Sequence, residues 1–305
     1  MRRPAWSTLA TAGAVLAAGA MLAFNNLRPS VTQHFAPNEF PNVPVTTQDG
    51  VNLRFYDDLI KGKSVGIDFI YTTCKDECPL ETARLVQTQK LLGDHMGKDL
   101  FFYSITVDPR VDTPEALKDY ADKFHVGPGW QFLTGNEDDL RQIAQKLGVR
   151  YSRDLLTTDG HATSLMLGDE PTGQWIQDSA EDNPRFLAST IGTFLGWRED
   201  APQPSYAEAQ PLNLDQGGYV FSTRCVGCHT VGRGDLVGPD LAGVTDRRDR
   251  DWLTRYLHAP DQVLADGDPV ANALYEKYHE IPMPNLGLDS EDVDAVIAYL
   301  REQSK

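Results

Sequence analysis

The chain has 305 residues, 44 acidic against 28 basic for a formal charge of −16, and four cysteines. That length exceeds one typical domain and suits two, each able to bury its own core. The acidic balance argues against nucleic acid as a partner and fits solubility or a basic protein partner, and four cysteines in two close pairs are too few for a disulfide scaffold and read as two sites.

At the N-terminus, Arg2 and Arg3 precede an uncharged stretch from Ala5 to Phe24, and the next charge is Arg28. This reads as an export signal. It is long enough to span a bilayer as an uncleaved transmembrane helix, while Ala18-Gly19-Ala20 offers small residues of the cleavable kind. The expectation is a membrane anchor over residues 1–28 with its basic end in the cytoplasm, so that the rest faces the periplasmic side of the cytoplasmic membrane. A cleaved, soluble periplasmic form is the alternative.

After the proline-punctuated "APNEFPNVPV", residues 29–200 alternate strand and helix patterns. "SVGIDFIYT" predicts a buried strand and Pro79–Leu92 a helix; "LFFYSITVD" predicts a second strand. "DTPEALKDYADKF" predicts a helix with Thr113 as N-cap and Pro114 in its first turn. "WQFLTG" follows as a short strand, then the helix "NEDDLRQIAQKLG" ending at Gly148. "ATSLMLGD" and "GQWIQD" predict an antiparallel pair, and "NPRFLASTIGTFLGW" a last helix. This order predicts an α/β domain with a central mixed sheet. Prolines and small polar residues over 201–211 read as a linker, and residues 212–305 carry helical patterns only.

Cys225-Val226-Gly227-Cys228-His229 is C-x-x-C-H, the attachment signal for c-type haem, in which two thiols bond to the porphyrin edge and the histidine reaches the iron. With "IPMPNLGLDSEDVDAVIAYLREQ" further on, residues 212–305 resemble small class I cytochromes c. The resemblance implies an all-α domain with a helix ending at the motif, Pro239 lining the haem edge, Met283 as sixth ligand, and a C-terminal helix packed on the first. A thioether is a soft axial ligand that raises the potential and suits electron transfer. Pro282 and Pro284 stiffen the loop around Met283. His258 and His279 are the rival sixth ligands.

Cys74 and Cys78 in "YTTCKDECPLET" stand at a strand end and a helix start. In an oxidising compartment a disulfide is the plain reading. So short a loop makes a poor staple, and helix N-terminal amides are expected to lower a thiol pKa there, so redox-active thiols or a soft Cu(I) site stay open beside it. One added imidazole would give two sulfurs and one nitrogen. His161, after a turn and before a predicted strand, is the histidine of choice, although the sequence alone does not bring it to Cys74.

Four segments, "DGVNLRFYDDLIKGKSVGIDFIYTTCKDECP", "SITVDPRVDTPEALKDYADKF", "WQFLTG" and "DGHATSLMLGDEPTGQW", make residues 38 to about 197 resemble the SCO (SenC/PrrC) family of thioredoxin-like proteins that serve cytochrome oxidase assembly. The resemblance implies a thioredoxin-like fold with copper held by Cys74, Cys78 and His161. It also implies as partners the copper-bearing subunit of a terminal oxidase and a thioredoxin-like reductant or copper donor. The family usually has proline after its first cysteine; here Lys75 stands there, either a charge that lowers the thiol pKa and favours thiol chemistry over copper storage or equally a solvated loop residue. Asp108 and Asp112 also match the family, although turn formation and the helix start account for them.

The expected function is therefore copper delivery or thiol-disulfide exchange for the dinuclear copper site, with haem c passing electrons to or from the copper or thiol site. A one-electron haem couples more naturally to Cu(II)/Cu(I) than to a two-electron disulfide. Two alternatives are a cytochrome-linked thiol peroxidase and an electron-transfer cytochrome docked by its first domain. Tyr71, where such peroxidases carry threonine, counts against the first.

Overall fold

The computed structural model describes residues 33–34, 39–74, 77–149, 164–197 and 215–303. The expected anchor over 1–28, Lys75, His161 and the linker 201–211 lie outside the described residues. Among the described residues no helix is long and apolar enough to cross a membrane.

Eight strands make one mixed sheet: β1 (Gln33–His34), β2 (Pro44–Thr47), β3 (Asn52–Arg54), β4 (Ser64–Ile70), β5 (Leu100–Thr106), β6 (Trp130–Thr134), β7 (Ser164–Asp169) and β8 (Gln174–Ser179). Their order is β1-β8-β7-β4-β5-β6-β2-β3. The central strands β4, β5 and β6 run parallel, while β7 and β8 form the expected antiparallel pair. Parallel strands covered on both faces need near-continuous apolar sequence, which "SVGIDFI" and "LFFYSIT" supply. The β2–β3 hairpin, paired antiparallel and added to β6, was not read from the sequence. The two prolines of "PNVPV" spoke for an extended approach, yet Pro44 is the first residue of β2, where proline is tolerated, and Asp49-Gly50 is a hairpin signal.

Four helices attend the sheet: α1 (Glu77–Leu92), α2 (Pro114–Lys123), α3 (Glu137–Lys146) and α4 (Pro184–Phe194), with α1 packed on α4. The starts of α2, α3 and α4 are capped by short polar side chains. Thr113 Oγ1 accepts from Ala116 N at 3.2 Å, Asn136 Oδ1 from Asp138 N at 2.9 Å and Asn183 Oδ1 from Arg185 N at 3.0 Å; each such cap stabilises its helix by about 1 kcal/mol. This is the thioredoxin-like arrangement expected of the first domain.

The rest is helical: α5 (Gln216–Val220), a π-turn over Phe221–Cys225, then α6 (Val244–Arg247), α7 (Arg250–His258), α8 (Pro260–Ala265), α9 (Pro269–Lys277) and α10 (Ser290–Glu302). Helices α5 and α10 cross closely. A Cβ on Gly217 would stand 2.1 Å from Ala295 O and 2.7 Å from Tyr299 Cβ, so only glycine lets the two backbones meet. Val220, Phe221, Val293, Val296, Ile297 and Leu300 form the core of this crossing.

Candidate metal centre and haem cavity

Strands β4 and β5 end in register, Ile70 opposite Thr106, and Val107 N donates to Ile70 O at 2.9 Å. The two following loops therefore leave the sheet side by side. Asp112, fully buried, ties them together: Thr72 N donates to both its carboxylate oxygens at 3.2 Å, Thr72 Oγ1 donates to Oδ1 at 2.5 Å, and Thr106 Oγ1 donates to Oδ2. Burial raises the Asp112 carboxyl and these donors oppose the rise. The residue thus does more than form a turn, since it fixes the loop that carries Cys74.

Cys74 closes a turn, its N–H donating to Tyr71 O at 3.2 Å, and Cys78 sits in the first turn of α1. Both thiols are buried, Cys74 at 5% exposure and Cys78 at 0%. They hydrogen-bond to each other, and that bond, then burial, then the neighbouring charges of Cys74 and Glu81, push the Cys78 thiol well above its ordinary range. This corrects the expectation of a thiol lowered by helix amides. The hydrogen bond with Cys74 and the desolvation of a fully buried position together outweigh the terminal dipole, whose effect is about 1 kcal/mol. Glu81, one turn on from Cys78, and Tyr120, on α2, complete the surroundings. The Tyr120 hydroxyl lies 3.0 Å from Thr82 Oγ1, and burial, with the two thiols nearby, raises its pKa. Sequence reasoning missed both. Glu81 is at helical spacing from Cys78 and was open to notice; Tyr120 comes from another helix and carries no local signal.

Among the described residues no three His, Cys, Asp or Glu side chains are grouped to hold a metal ion. Cys74 and Cys78 supply two soft donors, and the third ligand expected from sequence, His161, lies outside the described residues.

The C-x-x-C-H segment borders a cavity of about 400 Å³ lined by Cys225, Cys228, His229, Pro239 and Met283, with apolar side chains such as Leu253 around them. His229 Nδ1 donates to Pro239 O at 2.9 Å; a carbonyl can only accept, so the proton is on Nδ1 and the lone pair of Nε2 is left available to a metal. Burial lowers the His229 pKa, which favours the neutral ring. Gly238 leaves room for it, since a Cβ there would meet His229 Cε1 at 2.6 Å. Burial pushes both the Cys225 and the Cys228 thiols up to about 12, keeping them protonated until they are used. A largely apolar cavity with two thiols, an oriented imidazole and a thioether fits haem c. Met283 is in this lining; His258 and His279 are not. His258 Nδ1 instead donates to Leu288 O at 3.1 Å.

The two regions touch along α1. Pro79, directly after Cys78, lines the haem cavity. Arg84 Nη2 donates to Thr223 O at 2.6 Å, and Gln87 Nε2 donates to Val226 O. A Cβ on Gly227 would lie 3.6 Å from Arg84 Cγ. Val237 belongs to the same buried cluster as Cys74 and Cys78, with Cys228, Leu236 and Ile281 packed against it.

Comparison with known proteins agrees with this two-part build. Residues 45–193 match the family model SCO1/SenC, and residues 214–304 match the family model Cytochrome c. The chain joins a region that matches the SCO1/SenC model to a region that matches the Cytochrome c model. The SCO2-like protein of Rickettsia conorii is 37% identical over 99 residues, which are 32% of this chain and 47% of that protein. The chain thus spans about half the length of such curated relatives. Among solved structures, a SCO1/SenC family lipoprotein from Bacillus anthracis is 25% identical with a TM-score of 0.44, covering 53% of this chain and 96% of that one. Bradyrhizobium japonicum ScoI with copper bound is 24% identical with a TM-score of 0.41, covering 50% and 99%.

Proposed function

We propose that the chain is a copper-binding thiol protein serving assembly of the dinuclear copper site of a terminal cytochrome oxidase, with a covalently attached haem c that exchanges electrons with the copper site. Its place is the periplasmic side of the membrane, held by the N-terminal segment. The observation that carries the reading is Pro79: the residue next to Cys78 also lines the cavity bordered by C-x-x-C-H. The thiol pair and the haem cavity are thus adjacent through one residue of α1.

The SCO1/SenC match supports copper as the cargo, and the chemistry of the pair agrees, because two soft sulfurs in a buried, closely hydrogen-bonded setting favour Cu(I). Cys74 and Cys78 hold the ion, with His161 as nitrogen ligand; Asp112 keeps the Cys74 loop in place. Cys225 and Cys228 anchor the haem, His229 Nε2 and Met283 ligate it, and bound haem supplies a one-electron couple that matches Cu(II)/Cu(I). The acceptor is the copper-bearing oxidase subunit, with a copper donor or thioredoxin-like reductant acting earlier.

The test is a copper titration of the haem-loaded protein with metal analysis while the haem spectrum is followed. Wild type should bind one tight copper, and His161→Ala and Cys74→Ser/Cys78→Ser should each lose it. Adding Cu(II) to the reduced wild type should oxidise the haem, and this response should vanish in the cysteine variant. Unchanged copper binding in that variant would remove copper from this site.

A further inference from the structure

The contact between the regions uses one face of α1. Leu80, Arg84 and Gln87 are spaced by four and three residues, so they project from the same side of the helix, and the first two are buried. Arg84 gives its guanidinium to the carbonyl of Thr223 and Gln87 its amide to the carbonyl of Val226. Both carbonyls lie at the end of the helix that runs into the haem motif, where backbone acceptors lack helical partners and a cation is favoured. Behind these bonds, Val237 is continuous with the buried cluster of Cys74 and Cys78, and Pro79 is shared with the haem cavity. The thiol pair thus lies beside an interface formed by the chain's own second domain, with Cys74 at 5% and Cys78 at 0% exposure.

We propose that the cytochrome domain is a removable cover for the Cys74/Cys78 pair, latched on the Leu80-Arg84-Gln87 face of α1, and that a copper donor or acceptor reaches the thiols only when the latch opens. The assignment deepens the functional reading above and rests on it for the identity of the cargo, but the cover itself is a statement about access. The latch is small. Two polar bonds to backbone carbonyls and a short apolar seam are strong enough to hold a tethered domain and weak enough for a partner to displace it. The face it occupies is the natural docking face for a partner protein, because it surrounds the start of α1 where Cys78 stands. A partner that offers its own carbonyls to Arg84 and Gln87 would compete with the Thr223–Val226 segment.

The experiment uses the full chain loaded with haem, in which Cys225 and Cys228 are thioether-bonded and silent to alkylation. Iodoacetamide labelling of the reduced, copper-free protein is followed at Cys74 and Cys78 by peptide mass spectrometry, and domain separation by small-angle X-ray scattering. Gln87→Ala should speed labelling by about fivefold and Arg84→Ala/Gln87→Ala by at least about twentyfold, as expected from losing one or two such bonds. The double variant should also scatter as a more extended particle. If that variant extends and labelling stays at the wild-type rate, the cover is refuted. If it remains compact, at any labelling rate, the latch residues are wrong. Since labelling needs no copper, loss of the copper reading in the titration above would leave this outcome standing, and the reverse also holds.

Discussion

The two regions bury different kinds of side chain. In the α/β region the interior holds Asp68, Glu81, Arg84, Ser104, Thr106 and Asp112, whereas among the described residues the helical region has no charged or hydroxyl-bearing aliphatic residue buried as a whole, although the Thr245 hydroxyl oxygen is itself enclosed. There the buried set is apolar apart from its cysteine and tyrosine, and its centre is a cavity. One region is fixed by directional polar contacts and is therefore sensitive to protonation. The other is shaped around a large apolar guest and is therefore sensitive to that guest's presence.

The largest expected effect breaks the second half of this contrast. A Cys225→Ala/Cys228→Ala chain without haem leaves the apolar lining of a cavity of about 400 Å³ without its guest, a loss of contact that a small helical region is poorly placed to bear. Circular dichroism and amide exchange should show the helical region losing its fixed packing while the sheet amides of β4 and β5 remain protected. Equal protection in both regions would mean that the cavity closes without haem.

Next comes Asp68, on central strand β4. Ser104 Oγ donates to its Oδ1 at 2.6 Å, Trp130 Nε1 donates to Ser104 Oγ at 2.9 Å, and Oδ2 has no hydrogen-bond partner. Burial raises its pKa from 3.8 to about 7. A raised folded-state value favours the protonated form, so this contribution is whole below about pH 4 and is lost as pH rises to about 7. About three pH units at 1.36 kcal/mol each give a loss of roughly 4 kcal/mol. Denaturant unfolding of Asp68→Asn should be flatter between pH 4 and 8 than that of wild type; parallel curves would show that Asp68 is not the group titrating.

Asp112→Ala strands three donors, Thr72 N, Thr72 Oγ1 and Thr106 Oγ1, and should destabilise the α/β region by about 3 kcal/mol. The haem spectrum should be unaffected, which is the sharper half of the measurement. The smallest effect is expected at the surface. The Lys118–Asp49 pair, 3.0 Å apart and half exposed on both sides, is screened by solvent, so Lys118→Ala should leave the urea midpoint nearly unchanged.

The same contrast governs what could be read from the sequence. The candidate haem site is written in two short local signals: two thiols with the adjacent imidazole, and further on a methionine marked by its flanking prolines. The α/β strands and helices were legible because their apolar periods and caps are local. The setting of Cys78 was not, because its pKa depends on burial by distant chain and Tyr120 reaches it from α2. Nor was the seam on α1. Leu80, Arg84 and Gln87 look like an ordinary helix flank until the Thr223–Gly227 segment, some 139 residues away, is laid against them.

The crossing of α5 on α10 carries a further consequence, in the order of synthesis. Gly217 lies near the start of the helical region, and its partners Ala295 and Tyr299 near the end. The closure they form has to wait until almost the whole region has been made, and it brings together segments with a long intervening loop. Cys225 and Cys228, immediately after α5, therefore emerge well before the helix that shuts their core. The growing chain leaves an interval in which both thiols stand open to haem attachment, and the last helix ends that interval.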